Sequence, residues 1–408
     1  MRILIGTVPY GRDNVGDEAI LATVVASIRE YFPDADIIAS TDDGEATAEK
    51  LKIKTLPLFC HNVPGATYSQ MVDAVKWCDV YIWGGATGLS DYPENALEIA
   101  DLALENGKKL VLYGCGMNSE LNPAHYRLHS GPKKTILSLL GFFTGDVNRF
   151  VNAYQDRSEK KTMAHIQKSL NRASLIVVRD KETKQLLQDN CGVATAVNAM
   201  ADPAILLPLC SSERLNEIWE DKLGWDKDVD IVGIGISAQR EVTSLDDIVA
   251  LADYLVETHK VKILYLPMNP KTDAATMVKI REEMRNKGEA SVLEGFYEPE
   301  EIAAFAAKTK LIISSRLHLL ILATISKIPI VGLSRGSKID NFLNRLGESS
   351  AGSVDDFDLS NIKNYCDRLI MNKAVYLKKS GRVIEEMKEQ ARESRKLLAE
   401  VLGESTLS

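Results

Sequence analysis

The sequence lacks features that mark several classes of protein. No apolar run approaches the roughly 20 residues of a membrane-spanning helix. The net charge of −8 is opposite to the basic surface that nucleic acids require, so we expect no nucleic-acid partner. No CxxC pair occurs, and we therefore expect the cysteines to be buried, reduced thiols. They are Cys60, Cys78, Cys115, Cys191, Cys210 and Cys366.

Common catalytic and metal-binding motifs are also absent. The chain contains neither a GxSxG elbow nor a P-loop, and five of its histidines lack the spacing of metal ligands, so we expect no metal. The sequence opens with a predicted strand rather than a charged and then apolar signal segment, which predicts a cytoplasmic protein. Those five histidines are His61, His125, His129, His165 and His259.

What the 408 residues do contain is a regular alternation of short apolar runs and helical patterns. This alternation predicts an α/β protein with two open, Rossmann-like parallel sheets that face a cleft. We place the domains at 1–208 and 209–375, followed by a charged helix at 376–408 that packs back toward the N-terminal domain. The predicted strands are 2–8, 36–39, 79–83, 109–113, 175–179, 230–237, 262–268, 290–296, 310–315 and 328–334.

A long helical insertion interrupts the first domain at about 117–172. Within it, residues 133–143 place two lysines before a run of apolar side chains. One interpretation is an extra helix packed on the domain. The alternatives are a peripheral contact with the inner face of an anionic membrane and a contact between subunits of a homo-oligomer.

Residues 314–340 carry the strongest functional signal. Ser314 lies at the end of a predicted strand and, with the serine after it, is a candidate cap for a helix that begins near Arg316. His318 falls in the first turn of that helix, at the carboxyl end of a strand where open α/β sheets bind ligands. Arg335 and Lys338 follow the next strand. These residue types favour binding of a small acid and transfer of a proton.

The first strand–helix turn carries hydrogen-bonding groups of a different kind. Asn14, Asp17 and Glu18 stand at the start of a predicted helix, where two carboxylates would repel the phosphates of a dinucleotide. Their oxygens suit sugar hydroxyls, which need acceptors as well as donors. The alternative is simple helix capping.

Three further loops follow predicted strands. Gly84 and Gly85 permit a sharp turn and close approach of a ligand, or merely a turn. Arg179 in VVRD could clamp a carboxylate or phosphate in bidentate fashion, or form a surface ion pair. Lys271 is a further candidate cation in the second domain.

Four of these segments together resemble the polysaccharide pyruvyl transferase family. They are NVGDEAIL, GGATGLSD, VVRD and SRLHLLILATISKIPIVGLSRGSKIDNF. The resemblance implies a two-domain GT-B-like enzyme that uses no metal or other cofactor. It implies transfer of the pyruvyl unit of phosphoenolpyruvate, as a cyclic ketal, to a sugar of a cell-surface glycan or its lipid-linked precursor. In this fold the N-terminal domain would bind the acceptor and the C-terminal domain the donor.

The resemblance also implies roles for individual residues. His318 is the expected catalytic acid and base, and Arg179 and Lys338 are expected to bind the donor at the reaction centre. We expect Ser314, Arg316, Arg335 and Lys271 to assist donor binding, because phosphoenolpyruvate carries a carboxylate and a phosphate. Asn14, Asp17, Glu18, Gly84 and Gly85 are the candidates for acceptor binding.

Two other functions remain open on the same scaffold. A glycosyltransferase or sugar-nucleotide epimerase would bind UDP or GDP and use Glu298 or Glu300 for a ribose. A glycan-assembly scaffold would bind sugar without depending on His318. Fold analogy alone does not separate these alternatives.

Overall fold

A computed structural model of the protein describes residues 1–59, 68–128 and 130–403. The chain forms two parallel β-sheets whose strands alternate with helices. This confirms the predicted α/β architecture with two open, Rossmann-like sheets. Cys60, His61 and His129, named above, lie outside the described residues.

The first sheet has seven strands in the order β3-β2-β1-β4-β5-β6-β7. Each neighbouring pair is parallel. All five strands predicted in this domain are present. The two edge strands β3 and β7 were not predicted, because four and three residues are too few to show a period. The strands are β1 (Arg2–Tyr10), β2 (Asp36–Thr41), β3 (Lys54–Pro57), β4 (Val80–Gly84), β5 (Lys109–Cys115), β6 (Leu175–Val178) and β7 (Val197–Ala199).

The second sheet has five parallel strands in the order β10-β9-β8-β11-β12. All five were predicted, although each is shorter than expected because its apolar run continues into a loop. The strands are β8 (Ile231–Gly235), β9 (Lys262–Tyr265), β10 (Ala290–Val292), β11 (Leu311–Ser314) and β12 (Ile330–Gly332).

The α-helices connect and cover these strands. Short 3-10 helices occur at Pro203–Leu206 and Lys287–Glu289, and a π-helical turn occurs at Leu186–Asn190. The α-helices are α1 (Val15–Tyr31), α2 (Gly44–Leu51), α3 (Tyr68–Trp77), α4 (Gly88–Asp91), α5 (Pro93–Glu105), α6 (Pro123–Tyr126), α7 (Pro132–Phe142), α8 (Arg149–Leu170), α9 (Lys181–Gln185), α10 (Ser212–Lys222), α11 (Leu245–His259), α12 (Pro270–Glu283), α13 (Pro299–Ala307), α14 (Leu317–Ile325), α15 (Ser337–Arg345), α16 (Leu359–Met371) and α17 (Lys373–Gly403).

Helix α1 belongs to the cores of both domains. Its Ile20 and Val24 pack with the first sheet, whereas Val15, Ala19 and Ala22 pack with the second. The small side chains of Ala19 and Ala22 let the C-terminal domain approach the helix closely. The two domains therefore meet along the start of α1, next to the cleft.

Helix α17 also joins the domains. Its 31 residues span about 46 Å at 1.5 Å per residue. Tyr376 and Ile384 pack in the second core, while Leu398 and Leu402 are fully buried in the first. The Tyr113 hydroxyl lies 2.8 Å from Ser394 Oγ. The helix thus packs back onto the N-terminal domain, as predicted.

The insertion after β5 folds into α6, α7 and α8. Helix α8 packs against α5, where Asp101 contacts both His165 and Ser169. Helix α7 packs on α8 and leaves large apolar side chains exposed. Within the described residues, no helix combines the length and the apolarity that crossing a bilayer demands.

Candidate active site

A cavity of about 510 Å³ lies between the two domains. Its walls carry most of the charged residues that the sequence analysis singled out. In the parts of the chain that the structure describes, no three His, Cys, Asp or Glu side chains are grouped so as to hold a metal ion. The polar lining includes Asn14, Asp17, Asp91 and Arg179 from the first domain and Arg316, His318, Arg335 and Lys338 from the second.

His318 is the second residue of α14, which begins directly after β11. Its side chain is 16% exposed, and Nε2 lies 3.6 Å from Asp202 Oδ2. Nε2 is shut off from solvent. The other nitrogen, Nδ1, lies beside Gly16, where an added Cβ would come within 2.2 Å of it. The two ring nitrogens therefore face two parts of the N-terminal domain, Asp202 at Nε2 and Gly16 at Nδ1, and the side chain contributes to the lining of the cavity.

Asp202 is a buried carboxylate that lies between the imidazole of His318 and the guanidinium of Arg179. Its Oδ2 lies 3.6 Å from His318 Nε2 and 3.7 Å from Arg179 Nη1, while Oδ1 accepts a hydrogen bond of 3.0 Å from the Ala204 amide. Burial alone would raise the pKa of Asp202, but the imidazole, the guanidinium and the amide outweigh burial and lower it. The carboxylate is therefore ionised at neutral pH.

Arg179 lies at the end of β6 with only 6% of its side chain exposed. The Asp180 carboxylate lies 3.8 Å from Nε, so the two side chains do form a pair. The predicted alternative of a surface ion pair is nevertheless wrong, because the guanidinium is buried. Gly116 makes room for it, since an added Cβ there would lie 2.4 Å from Nε. The guanidinium thus lies against the backbone of the loop that follows the neighbouring strand β5, and it faces the cavity.

Lys338 lines the cavity in the first turn of α15. Burial lowers its pKa, and repulsion from Arg179 and Arg316 lowers it further, whereas Asp17 and Asp91 oppose this. Among the described residues its ammonium group has no hydrogen bond or ion pair. An anion in the cavity would supply the missing partner.

Arg316 is held in place by a buried carboxylate. Its Nε and Nη2 donate to Asp273 at 2.9 and 2.6 Å, and Nη2 also contacts Thr272 Oγ1 at 3.2 Å. Asp273 is fully buried. This bidentate pair leaves Nη1 of Arg316 available toward the cavity.

Arg335 reaches the cavity wall but has no donor left for a ligand. Its five N–H groups point to the carbonyls of Ser237, Arg240 and Glu241 and to both oxygens of Asp355, at 2.7–3.3 Å. A guanidinium has five donors in all. The structure therefore corrects the expected role: Arg335 holds two loops together rather than offering donors to an anion.

Ser314 and Lys271 lie outside the cavity lining. Ser314 is buried and donates to the Gly235 carbonyl at 2.8 Å, and the helix cap is Arg316 instead. The Lys271 ammonium pairs with Asp13 Oδ2 at 2.8 Å, and this pair links the two domains beside the cleft. In this structure both side chains are used for structural contacts rather than for donor binding.

Asn14 and Asp17 combine capping with exposure to the cavity. Asn14 is the N-cap of α1, and its Nδ2 donates to Asp17 Oδ2 at 2.6 Å. Burial raises the pKa of Asp17, whereas His318 and Lys338 draw it down. Both residues line the cavity opposite the cations, so capping and ligand binding do not exclude each other here.

Glu18 lies in a different pocket, of about 130 Å³. It accepts a hydrogen bond of 2.7 Å from the Gly11 amide. Burial raises the pKa of Glu18 to about 7. The helical turn of 100° per residue separates it from Asp17 and directs it away from the cavity, so the structure does not place it with the acceptor candidates.

Gly84 and Gly85 are packed rather than exposed to the cavity. The Tyr10 hydroxyl donates to the Gly84 carbonyl at 2.5 Å. Gly85 has φ of +87°, and an added Cβ would lie 2.6 Å from Ile20 Cγ2. The glycines shape the turn, and it is the next residue, Ala86, that lines the cavity.

Several lining residues were not predicted. Asp91 accepts a hydrogen bond of 2.7 Å from Asn118 Nδ2, and the Ser119 amide donates to Ser337 Oγ across the cleft at 3.2 Å. Asp91 is the last residue of α4, in the glycine-containing segment that follows β4. Its position after a strand was the signal that could have predicted it. Asn118 and Ser119 open the insertion, in a short stretch before α6 that shows no helix or strand pattern.

Comparison with known families gives one match. A family model described as polysaccharide pyruvyl transferase matches residues 14–337, which include every charged residue of the cavity named above except Lys338, the residue directly after the match. No curated protein is similar in sequence to the chain.

Solved structures of GT-B enzymes share the fold. The UDP-GlcNAc 2-epimerase from Neisseria meningitidis, bound to UDP-GlcNAc, has a TM-score of 0.61 at 10% identity and covers 99% of this chain and 100% of its own. Anabaena Alr3699/HepE, in complex with UDP-glucose, has a TM-score of 0.59 at 12% identity with the same coverage. A glycosyltransferase from Rickettsia africae has a TM-score of 0.58 at 13% identity and covers 98% of both chains. At these identities the similarity shows the fold alone.

The contact between Gly16 and His318 gives a first prediction. In Gly16→Ala the new methyl group would lie 2.2 Å from Nδ1, so the ring must move. We expect a loss of about 100-fold in turnover, typical of a misplaced catalytic group, and a loss of about 1–3 kcal/mol in unfolding free energy. Turnover and urea denaturation measure the two effects.

Gly381→Ala is the matched control, because nothing lies within 4 Å of an added Cβ in α17. It should keep full activity. An active Gly16→Ala enzyme would contradict the expectation that turnover depends on the position of the His318 ring.

Glu18 gives a pH-dependent prediction. Because burial raises its pKa from 4.5 to about 7, its contribution to stability is complete below pH 4.5 and is lost as the pH rises through 7. Glu18→Gln keeps an acceptor for the Gly11 amide and removes the charge. Between pH 5 and 8 we expect the wild type to lose about 2–3 kcal/mol of unfolding free energy relative to this variant.

Urea denaturation across this pH range is the measurement. Glu49→Gln on the exposed face of α2 is the control and should follow the wild type. Parallel pH curves for the wild type and Glu18→Gln would contradict the prediction.

Proposed function

Because the chain belongs to the polysaccharide pyruvyl transferase family, we propose that it transfers the pyruvyl group of phosphoenolpyruvate to a sugar. The acceptor is part of a cell-surface polysaccharide or its precursor, and the products are a cyclic ketal and phosphate. The main observation that supports this proposal is the group of cationic side chains around His318 in the cavity between the domains. A phosphoenolpyruvate donor fits a cytoplasmic reaction, and the proposed chemistry uses no cofactor.

The donor carries a carboxylate and a phosphate, and the cavity offers cations for both. Lys338 has an unpartnered ammonium among the described residues, Arg179 faces the cavity with its guanidinium, and Arg316 retains Nη1. A buried site with low water content strengthens these interactions. The lowered pKa of Lys338 indicates that an anion binding beside it would relieve repulsion among the three cations.

His318 is the proposed acid and base. A proton passes to the methylene carbon of the donor, which becomes a methyl group, and the central carbon becomes cation-like. One sugar hydroxyl adds to this carbon and gives its proton to the imidazole of His318, which the first proton transfer left neutral, so the imidazolium is restored. The C–O bond to phosphate then breaks, and the second hydroxyl closes the ketal as its proton leaves with the phosphate. Asp202 supports the protonated imidazole from the Nε2 side.

The acceptor subsite is proposed on the opposite wall. Asn14, Asp17, Asp91 and Asn118 present carboxylate and amide groups to the cavity. Sugar hydroxyls both donate and accept, and such groups satisfy them. An acceptor bound there would have its hydroxyls directed at the cations and at Nδ1 of His318.

A nucleotide-sugar enzyme is the second candidate, because the solved neighbours include complexes with UDP-GlcNAc and UDP-glucose. Glu298 and Glu300 were the residues considered for a ribose. Both pair with Lys50 of the other domain, and Glu298 forms a capping box with Glu301. Neither lines the cavity, which favours phosphoenolpyruvate over a nucleotide.

Donor binding distinguishes the candidates. We expect calorimetric titration to show binding of phosphoenolpyruvate and none of UDP-glucose or UDP-GlcNAc. Lys338→Ala should weaken phosphoenolpyruvate binding roughly 10- to 100-fold, because it removes a charged hydrogen-bond donor from a buried site.

Lys271→Ala is the matched control, since it removes an equal charge that is paired with Asp13 outside the cavity. It should bind the donor as the wild type does. Tight binding of a UDP-sugar without binding of phosphoenolpyruvate would overturn the proposal in favour of the second candidate.

Catalysis is tested with His318 and Asp202. The assay incubates the protein with phosphoenolpyruvate and a panel of nitrophenyl hexosides and measures the mass of the product. His318→Ala should lower turnover at least about 100-fold. Asp202→Asn keeps the shape but removes the charge that stabilises the protonated imidazole, so the alkaline limb of the pH–rate profile should move to lower pH.

A structural role alone would lower the stability of Asp202→Asn without moving the profile. An unchanged profile would therefore refute the role of Asp202, and an active His318→Ala enzyme would refute the role of the imidazole. Circular dichroism of both variants establishes that they fold.

A further inference from the structure

A cluster of exposed apolar side chains lies on α7 and the turn that follows it. Of the twelve large apolar residues that are exposed in the described chain, six fall between 136 and 147, with exposures from 48% to 76%. Single exposed apolar residues are ordinary, but a contiguous group is a binding surface. We call this group the α7 ledge; it consists of Ile136, Leu139, Leu140, Phe142, Phe143 and Val147.

The segment that carries the ledge is rich in basic residues. Residues 130–161 contain six lysines and arginines and three acidic residues, although the whole chain has a net charge of −8. Lys134 lines one groove together with Leu139, Phe142 and Val147. Lys134 and Arg149 have no acidic partner among the described residues. The ledge is thus apolar, has Lys134 beside it and belongs to a segment with an excess of positive charge.

The ledge is close to the cavity along the chain. Leu121, Asn122 and Pro123 line the cavity, and α7 begins at Pro132. The nine steps between Pro123 and Pro132 can span at most about 32 Å, even when fully extended. A surface that contacts the ledge is therefore within reach of a molecule held at the cavity mouth.

We propose that the α7 ledge docks the protein peripherally on an anionic lipid bilayer. Apolar side chains would enter the interface while the lysines contact acidic headgroups. A second copy of the chain fits less well, because a two-fold contact through the same surface would bring its positive charges together. Docking would bring the cavity near a lipid-linked acceptor; this last point alone rests on the proposed function.

The test is co-sedimentation of the full chain with vesicles. One set contains phosphatidylcholine alone, and the other contains phosphatidylcholine with phosphatidylglycerol. We expect binding to the anionic vesicles that weakens with added salt. Phe142→Ser combined with Phe143→Ser should reduce binding at least about tenfold, and Lys134→Ala about fivefold.

Met371→Ser is the matched control, because Met371 is 78% exposed on α16 and should bind as the wild type does. The ledge lies outside the cavity lining, so the phenylalanine variant should keep its turnover of soluble nitrophenyl hexosides. This separates failure of docking from failure of the proposed reaction.

Two outcomes would overturn the inference. The first is a lack of binding to anionic vesicles by the wild type. The second is binding that the phenylalanine substitutions leave unchanged. Light scattering adds a third: a dimer that these substitutions dissociate, without vesicle binding, would identify a second copy as the occupant of the ledge.

Discussion

The chemistry of the cleft depends on one buried carboxylate. Asp202 faces both the imidazole of His318 and the guanidinium of Arg179, and an isolated charge at such depth would be prohibitively costly. The two groups offset that cost, and in return the carboxylate holds both of them at the cavity wall. Removing Asp202 takes a partner from both groups, and removing either group takes one of the two partners from Asp202. The arrangement is therefore a single unit rather than three separate residues.

An acidic chain can nevertheless contain a cavity rich in cations because its positive and negative charges are distributed unevenly. Many surface carboxylates are balanced locally by lysines and arginines, as the numerous ion pairs show. In the cleft, Arg316, Arg335 and Lys338 come from the second domain, whereas Asn14, Asp17 and Asp91 come from the first, which also supplies Arg179. The same separation suits a reaction between an anionic donor and a neutral sugar. Net charge describes the whole molecule, but the local field governs binding.

Position in the sequence predicts some of the site and misses the rest for physical reasons. Arg179, His318 and Lys338 each come after an apolar strand. Parallel strands end at one edge of a sheet, and the two predicted sheets face a cleft, so the convergence of these residues could be predicted. Asp202 precedes a proline, a pattern that is typical of a helix start. The pattern gives no sign that Asp202 also faces His318 and Arg179. Arg335 has the right charge and place, but its five acceptors come from distant loops that no local pattern reveals.

Helix α17 has a consequence for how the chain is made. Its residues leave the ribosome after both sheets have been synthesised, yet Leu398 and Leu402 complete the core of the first sheet, which began nearly 400 residues earlier. Until α17 has been synthesised, the core of the N-terminal half therefore lacks these two leucine side chains. Excising either half at the boundary between the sheets would yield a fragment with an open core, so the two units mature together as one.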